Sequence, residues 1–299
     1  MNPTPAPVSR AALAAAAVLS LCLSACSNLP TSSGPTALST DRISAVVASP
    51  DRSAADRAAD ARRKPEQLLA FIGVRPGMAA LDLSAGGGYT TELLARALGP
   101  RGLVYSQSQP VDPKHAVPAG VTDANAAKEL ATAVAVFSPG VPPEARTKSY
   151  EAVALRRQHL TRTSAPVAAI YPVIRKFENP VPTEIAVGRL DLVTLMFNYH
   201  DIVNMAVNRD EMNSAVFTAL KPGGVYLIAD HAGRPGTGTS EVGTLHRIEE
   251  EAVIKEVQAA GFKLAAAGNF LRNPSDPRDQ NTPTPPQAKD EFVLKFVKP

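Results

Sequence analysis

Residues Leu81–Ser108 read LDLSAGGGYTTELLARALGPRGLVYSQS, and the fold is decided here. An apolar run, Ala79–Leu83, has the length and composition of a buried strand. It passes through a glycine loop into an amphipathic segment, Tyr89–Leu98, which Gly99-Pro100 terminates. A second short apolar run, Leu103–Gln107, follows. Strand, glycine loop, helix and strand in that order make a parallel unit, with the loop at the carboxyl end of the first strand. Glycine permits tight backbone geometry, and a helix that starts there presents N–H groups without intrahelical partners. Three consecutive glycines are costly for the chain, so the expected reason is a ligand approaching the backbone. The residues placed against it are Ser84, Ala85, Gly86, Gly87, Gly88 and Tyr89. Thr91 stands where a dinucleotide fingerprint needs its third small residue, and no Lys-Ser or Lys-Thr follows the loop. NAD and nucleoside triphosphates are therefore disfavoured.

Outward from this unit the alternation continues. Strands are expected at Asp191–Phe197, Gly224–Asp230, Phe262–Ala267 and Phe292–Val297, with helices at Arg209–Leu220 and Leu245–Ala260. The last two strands have no helix between them and should pair antiparallel. Upstream, Ser49-Pro50 opens a polar helix, DRSAADRAADARR. Lys64-Pro65 breaks it and begins PEQLLAFIG, and Arg75-Pro76-Gly77 turns into the first strand. In the middle, AAKELATAVAVF and PEARTKSYEAVALRRQHL read as helical and AIYPVIRKF as the third strand. Residues 273–290 form a proline-rich loop, a lid or a simple excursion.

The chain has 299 residues, 44% hydrophobic and 20% charged, with a formal charge of +3. No dense Lys/Arg run exists, which argues against a nucleic-acid partner. Trp is absent and aromatics are 5%, so the core must be aliphatic. Arg10 precedes the apolar run AALAAAAVLSLCL, which is too short to span a bilayer comfortably, and LSAC follows at Leu23–Cys26. This order resembles the signal and lipobox of bacterial lipoproteins. The resemblance implies cleavage before Cys26, lipidation of that residue, and a membrane anchor on the periplasmic face of the envelope. Ser27 in the next position implies outer-membrane sorting. The two cysteines, Cys22 and Cys26, both fall in this region, so the remainder offers no disulfide, thiolate ligand or thiol nucleophile. The expected organisation is a signal peptide over 1–25, a flexible tether over 26–48 and one domain over 49–299.

VRPGMAALDLSAGGGYTTELLARALGPRGLVYSQS also resembles the opening of class I S-adenosylmethionine-dependent methyltransferases. Asp82, Gly86 and Gly88 match the family's acidic, glycine-spaced first motif, and Ser84 replaces its first glycine. DLVTLMFNYHD, LKPGGVYLIADHAG and the terminal AGFKL…DEFVLKFVKP resemble its later strands. The resemblance covers roughly residues 60–108 and 168–299, closest to exported members of the group. It implies an α/β, Rossmann-like sheet of seven mostly parallel strands, the last antiparallel. S-adenosylmethionine is the implied cofactor, held by Asp82, the loop and Asn198, and the substrate a small molecule or envelope component. Where the family places an acid for the ribose hydroxyls, this chain has Gln107, a neutral substitute.

Methyl transfer requires alignment of donor and nucleophile and sometimes removal of a proton. The residues after the fourth strand are Asn198-Tyr199-His200-Asp201. His200 is the candidate base, Asp201 or Asp230 its orienting partner, and Tyr199 a pocket wall; the alternative is that NYHD only caps a helix. His231 ends the fifth strand on the same rim, and His246-Arg247 is expected to open the next helix. Convergence of His200, Asp230, His231 and His246 would allow a metal site, although their spacing matches no compact metal motif and none is expected. His115 and His159 read as surface residues. Arg62, Arg63 and Lys64 read as a solvated helix end, or as cations at the mouth of the site. The competing function class is a non-catalytic binding lipoprotein on the same fold.

Overall fold

The computed structural model of the chain describes residues 1–4, 36–110, 128, 131–132, 146–281 and 287–299. Seven strands form one sheet: β1 (Ala79–Leu83), β2 (Leu103–Ser108), β3 (Ala169–Ile174), β4 (Leu190–Met196), β5 (Leu220–His231), β6 (Lys263–Gly268) and β7 (Glu291–Val297). Their order is β3-β2-β1-β4-β5-β7-β6. The first five strands are parallel, and β7 runs antiparallel to both β5 and β6. This is the Rossmann-like, mostly parallel seven-stranded sheet with an antiparallel last strand that the resemblance implies. The order reverses at β1, whose neighbours are β2 and β4, and such a switch point opens a crevice at the carboxyl ends of the strands.

The helices are α1 (Thr40–Val47), α2 (Ala54–Arg63), α3 (Pro65–Ile72), α4 (Tyr89–Leu98), α5 (Lys148–Arg162), α6 (Tyr199–Asn204), α7 (Arg209–Ala219) and α8 (Glu250–Ala259). The inner strands β1, β4, β5 and β7 are buried on both faces, as the interior of a covered sheet requires, while the edge strands β3 and β6 keep exposed residues. On one face Ala80, Val104, Leu192 and Leu227 pack with Ile43 of α1, Leu68 of α3, Leu94 of α4 and Leu160 of α5. On the other, Leu81, Val193, Ile228 and Phe292 pack with Ile202 of α6, Val216 of α7 and Val257 of α8. Alternate residues of one strand therefore feed opposite layers, the period-2 consequence of the pleat.

Several boundaries differ from expectation. Of the two units into which the chain divides, Met1–Gly34 and Pro35–Pro299, the second begins well before Ser49. Residues 40–47 are not a tether but α1, capped by Ser39 and burying Ile43 and Val46. The amphipathic spacing of ISAVV outweighs the Ser/Thr/Pro composition around it. Helix α2 starts at Ala54 with Ser53 as its cap, so Pro50 is not its first residue. Helix α8 begins at Glu250, because His246 has φ +50 and cannot continue a helix. The expected helix AAKELATAVAVF lies almost wholly outside the described residues, as do His115, Cys22 and Cys26. Among the described residues no helix is long and apolar enough to cross a membrane.

Candidate functional site

Two clefts open at the carboxyl ends of β1, β2 and β4, and they share Ser84, Gly86 and Asn198 as walls. The first, about 210 Å³, lies between the glycine loop, Arg63 and Phe197. The second, about 360 Å³, extends past Ser108 and Gln109 to Phe177 and Met205.

The loop owes its shape to positive φ angles at Ser84 (+57), Gly86 (+53) and Gly88 (+79). Ser84 lacks glycine's freedom, and neighbouring groups hold it there. Its N–H donates to Gln107 Oε1 at 2.9 Å and its hydroxyl to Asn198 Oδ1 at 2.6 Å. Ala85 N–H donates to the Gln107 carbonyl at 3.0 Å. An added Cβ at Gly86 or Gly87 would meet nothing within 4 Å, so the loop backbone faces open space. At Gly88 it would strike Arg156, whose guanidinium also donates to the Gly87 carbonyl.

Asp82 forms part of the first cleft's floor but is only 2% exposed. Its register partners on β2 and β4 are Ser106 and Thr194, and this polar row is buried in the sheet. Thr91 and Thr194 donate hydroxyls to its two oxygens at 2.6 and 2.9 Å. Burial pushes its carboxyl up to about 6 against the opposing effect of those hydrogen bonds. Asp82 thus ties β1, β4 and the first turn of α4 together. Tyr89, the first residue of α4, donates its hydroxyl to Asp60 at 2.6 Å, and burial raises its phenol.

Gln107 is not available for ribose. It is fully buried, with Oε1 engaged by Ser84 and Nε2 donating to the Arg175 carbonyl at 2.6 Å. The amide supports the loop from behind, and Ser108 and Gln109 are the polar residues of β2's end that line the second cleft. Tyr199 is no pocket wall either. It is fully buried, and its hydroxyl bonds Glu256 at 2.7 Å and accepts from Asn213 at 3.1 Å. The turn at Phe197, φ +59, starts α6 in the phase that sends Tyr199 inward.

Arg63 is the residue that sequence reasoning undervalued. The helix end is not simply solvated: Lys64 adopts φ +48, closing α2 and opening α3. That turn delivers Arg62 and Arg63 over the Phe197 ring, at 4.9 and 5.1 Å, and Arg63 over Tyr89 at 4.8 Å. Arg62 pairs with Glu291 at 2.7 Å. Arg63 lines the cleft with no carboxylate within salt-bridge distance among the described residues, and burial lowers its pKa. Pro at the start of α3 was the available signal, since it requires a break at the preceding residue.

The four rim residues do converge. His200 Nδ1 lies 2.7 Å from Asp230 Oδ1, and the His200 backbone N–H donates to the other Asp230 oxygen at 2.8 Å. His200 Nε2 lies 3.3 Å from Asp201 Oδ1, which His246 Nδ1 approaches to 3.1 Å. The His231 and His246 rings stand 5.4 and 5.5 Å from that of His200. His231 also stacks on Phe197 and lies 3.1 Å from Glu291. Asn198 links this cluster to the clefts by donating to Asp201 Oδ2 at 2.9 Å. Burial works to lower the His200 pKa, but Asp201 and Asp230 outweigh it and push it up to about 9. An imidazolium between two carboxylates does not accept protons near neutrality, so the arrangement fits anchoring better than the base role expected of His200. His159 is half-exposed on α5 and bonds the Asp51 carbonyl, away from the site.

Neither a protein-family model nor a curated protein matches the chain. Among solved structures, an S-adenosylmethionine-dependent methyltransferase from Aquifex aeolicus is similar at 14% identity and TM-score 0.49, covering 87% of this chain and 98% of that one. An arsenic(III) S-adenosylmethionine methyltransferase from Chlamydomonas reinhardtii is similar at 14% and 0.46, covering 75% and 64%. A TehB-like methyltransferase from Corynebacterium glutamicum is similar at 13% and 0.43, covering 78% and 86%. At such identities the likeness is one of fold and identifies no substrate.

Proposed function

We propose that the chain is an S-adenosylmethionine-dependent methyltransferase acting on a small molecule or envelope component. The observation that carries this reading is the pair of joined clefts on either side of the glycine loop at the sheet's switch point. The residues present suit the cofactor. Arg63, with no carboxylate partner among the described residues, offers its guanidinium to an amino-acid carboxylate, the bare backbone of Gly86 and Gly87 admits close approach, and Phe177 and Met205 offer an apolar wall to a base. The cofactor supplies a methyl group on a sulfonium, transferred by in-line displacement. The chain's part is to hold and orient. Arg63 and the loop fix one end, Ser108 and Gln109 offer polar contacts for hydroxyls, and Asn198 joins the clefts to the histidine cluster on the acceptor side.

A second reading, a non-catalytic binding lipoprotein, draws support from Gln107 and His200. Gln107 is committed to the loop, and His200 is clamped between carboxylates. The two are separated by calorimetric titration together with transfer of labelled methyl groups. Wild type should bind S-adenosylmethionine and S-adenosylhomocysteine. Arg63→Met should weaken both by about tenfold or more, roughly 1.4 kcal/mol, while binding of decarboxylated S-adenosylmethionine changes little. No binding by folded wild type would sink the cofactor reading, and binding without transfer to envelope extracts would favour the binding module.

Location belongs to the same proposal. The Arg10, apolar-run and LSAC order supports lipidation at Cys26 and a periplasmic, outer-membrane position. Labelled fatty acid should enter wild type and not Cys26→Ser in a bacterial host.

A further inference from the structure

We propose that His200, Asp201 and His246 form a binding site for a divalent first-row transition cation, of which zinc is the type. The site is separate from the glycine loop and does not rest on the cofactor reading. One ligand atom from each of the three residues lies within 4.8 Å of the other two. The carboxylate oxygen is 3.3 Å from one imidazole nitrogen and 3.1 Å from the other. In a tetrahedral site with bonds of about 2.0–2.1 Å, neighbouring ligand atoms stand roughly 3.3 Å apart. Two of the three spacings are therefore already close to what a zinc-like ion requires, and the third lies within 4.8 Å. Two imidazoles and a carboxylate suit this part of the series better than calcium or magnesium, which prefer oxygen ligands.

A second observation points the same way. Asp230 is fully buried, and one of its oxygens receives His200 Nδ1 at 2.7 Å. A carboxylate behind an imidazole is the usual support of a metal-bound histidine. It keeps the proton on Nδ1, so that Nε2, once its own proton has left, presents its lone pair. With Nδ1 as the donor, that lone pair faces the Asp201 carboxylate, and two acceptors face one another. Something positive must lie between them, either a proton or a metal ion. A binding cation would displace any proton on Nε2 to solvent. His246, held at φ +50, brings its Nδ1 onto the same oxygen from a separate loop. The side chains of His246 and Asp201 are 41% and 35% exposed, so the site has a route to solvent and room for a further ligand. Asp201's other oxygen accepts from Asn198, which places the proposed ion one hydrogen bond from the wall shared by both clefts.

The experiment uses the full chain after exhaustive chelation, titrated with cobalt(II) and then with zinc. One equivalent of cobalt should produce the visible absorption of a four- or five-coordinate ion, and zinc should abolish it. His246→Ala should weaken binding at least 100-fold. That side chain is half-exposed, so the variant should keep its circular dichroism and melting transition. His231→Ala, which removes a neighbouring imidazole outside the ligand set, should bind as wild type does. Absence of a cobalt spectrum in folded wild type would overturn the site and leave a proton as the charge that holds the cluster. Equal binding by His246→Ala would also overturn it. Methyl transfer is not the readout, so failure here leaves the cofactor proposal standing, and the converse holds.

Discussion

Gly86 and Gly87 are neighbours with different reasons to be glycine. Gly86 has φ +53, so any side chain there is strained before it meets a ligand. Gly87 lies outside the left-handed region, and an added Cβ finds open space. Gly87→Val should therefore leave unfolding free energy within about 0.5 kcal/mol of wild type. It should nonetheless weaken S-adenosylmethionine binding about tenfold or more, read by calorimetry. Gly86→Val should lose both stability and affinity. A folded Gly87→Val with undiminished affinity would take this backbone out of the binding surface. Asp82 carries a prediction in pH. Its folded pKa, about 6, is above the ordinary aspartate value of 3.8, so the folded state keeps the proton longer. The associated stability is fully present below the unfolded pKa and is lost as pH rises through about 6. Asp82→Asn never ionises and escapes that loss. Its stability relative to wild type should rise between about pH 4 and pH 8, by on the order of 3 kcal/mol. Urea unfolding at the two pH values checks this, and a pH-independent difference would show that Asp82 titrates normally.

At the level of elements, the site depends on how α2, α4 and α5 are held together. Arg156 of α5 reaches Asp56 of α2 at 2.5 Å and Glu92 of α4 at 2.6 Å, and it donates to the Gly87 carbonyl. Both carboxylates are largely buried, so removing the guanidinium strands charge; Glu92 retains Arg96 at 2.8 Å. Breaking a buried pair from one side costs about 3–5 kcal/mol, and the remaining partner places Arg156→Met near the lower end. The variant should also bind cofactor more weakly, because the loop loses its clamp. Urea unfolding with calorimetry measures both, and a loss under about 1 kcal/mol would mean the three helices do not depend on this arginine. The elements themselves were largely legible. β1 and α4 have the bounds that LDLSAGGGYTTELLARAL suggests, because strand composition, glycine and a Gly-Pro stop are local signals. The start of α8 was not legible. The apolar spacing of LHRIEEEAVIKEV suits a helix throughout, and the backbone turns at His246 only because Ile248 N–H bonds the end of β5.

For the molecule as a whole, the domain boundary is testable by truncation. A chain beginning at Pro35 keeps α1 and should unfold at the same urea midpoint as the full chain. A chain beginning at Ser49 loses Ile43 and Val46, which are 4% and 9% exposed. Burial of such side chains contributes about 1.5–3 kcal/mol each, so this version should be less stable by roughly 3–6 kcal/mol. Equal midpoints would mean that α1 is an ornament on the domain and that the tether runs to Ala48 as its composition suggests.

The sequence by itself determined the order of the strands along the chain, the place of the glycine loop and the rim on which His200, Asp230, His231 and His246 would meet. These are consequences of periodicity and of parallel connection, which short stretches encode. Only the tertiary structure decided where the side chains on that rim point. Gln107 turns behind the loop because Ser84 N–H and the Arg175 carbonyl, 23 and 68 residues away, both need a partner. Tyr199 turns inward because Phe197 adopts φ +59, and Arg63 turns into the cleft because Lys64 adopts φ +48. Left-handed conformations at non-glycine residues leave no mark in composition; they exist where packing and distant hydrogen bonds outweigh the local cost. The Asp230–His200–Asp201–His246 chain likewise joins three segments whose separation only the β4–β5 register sets.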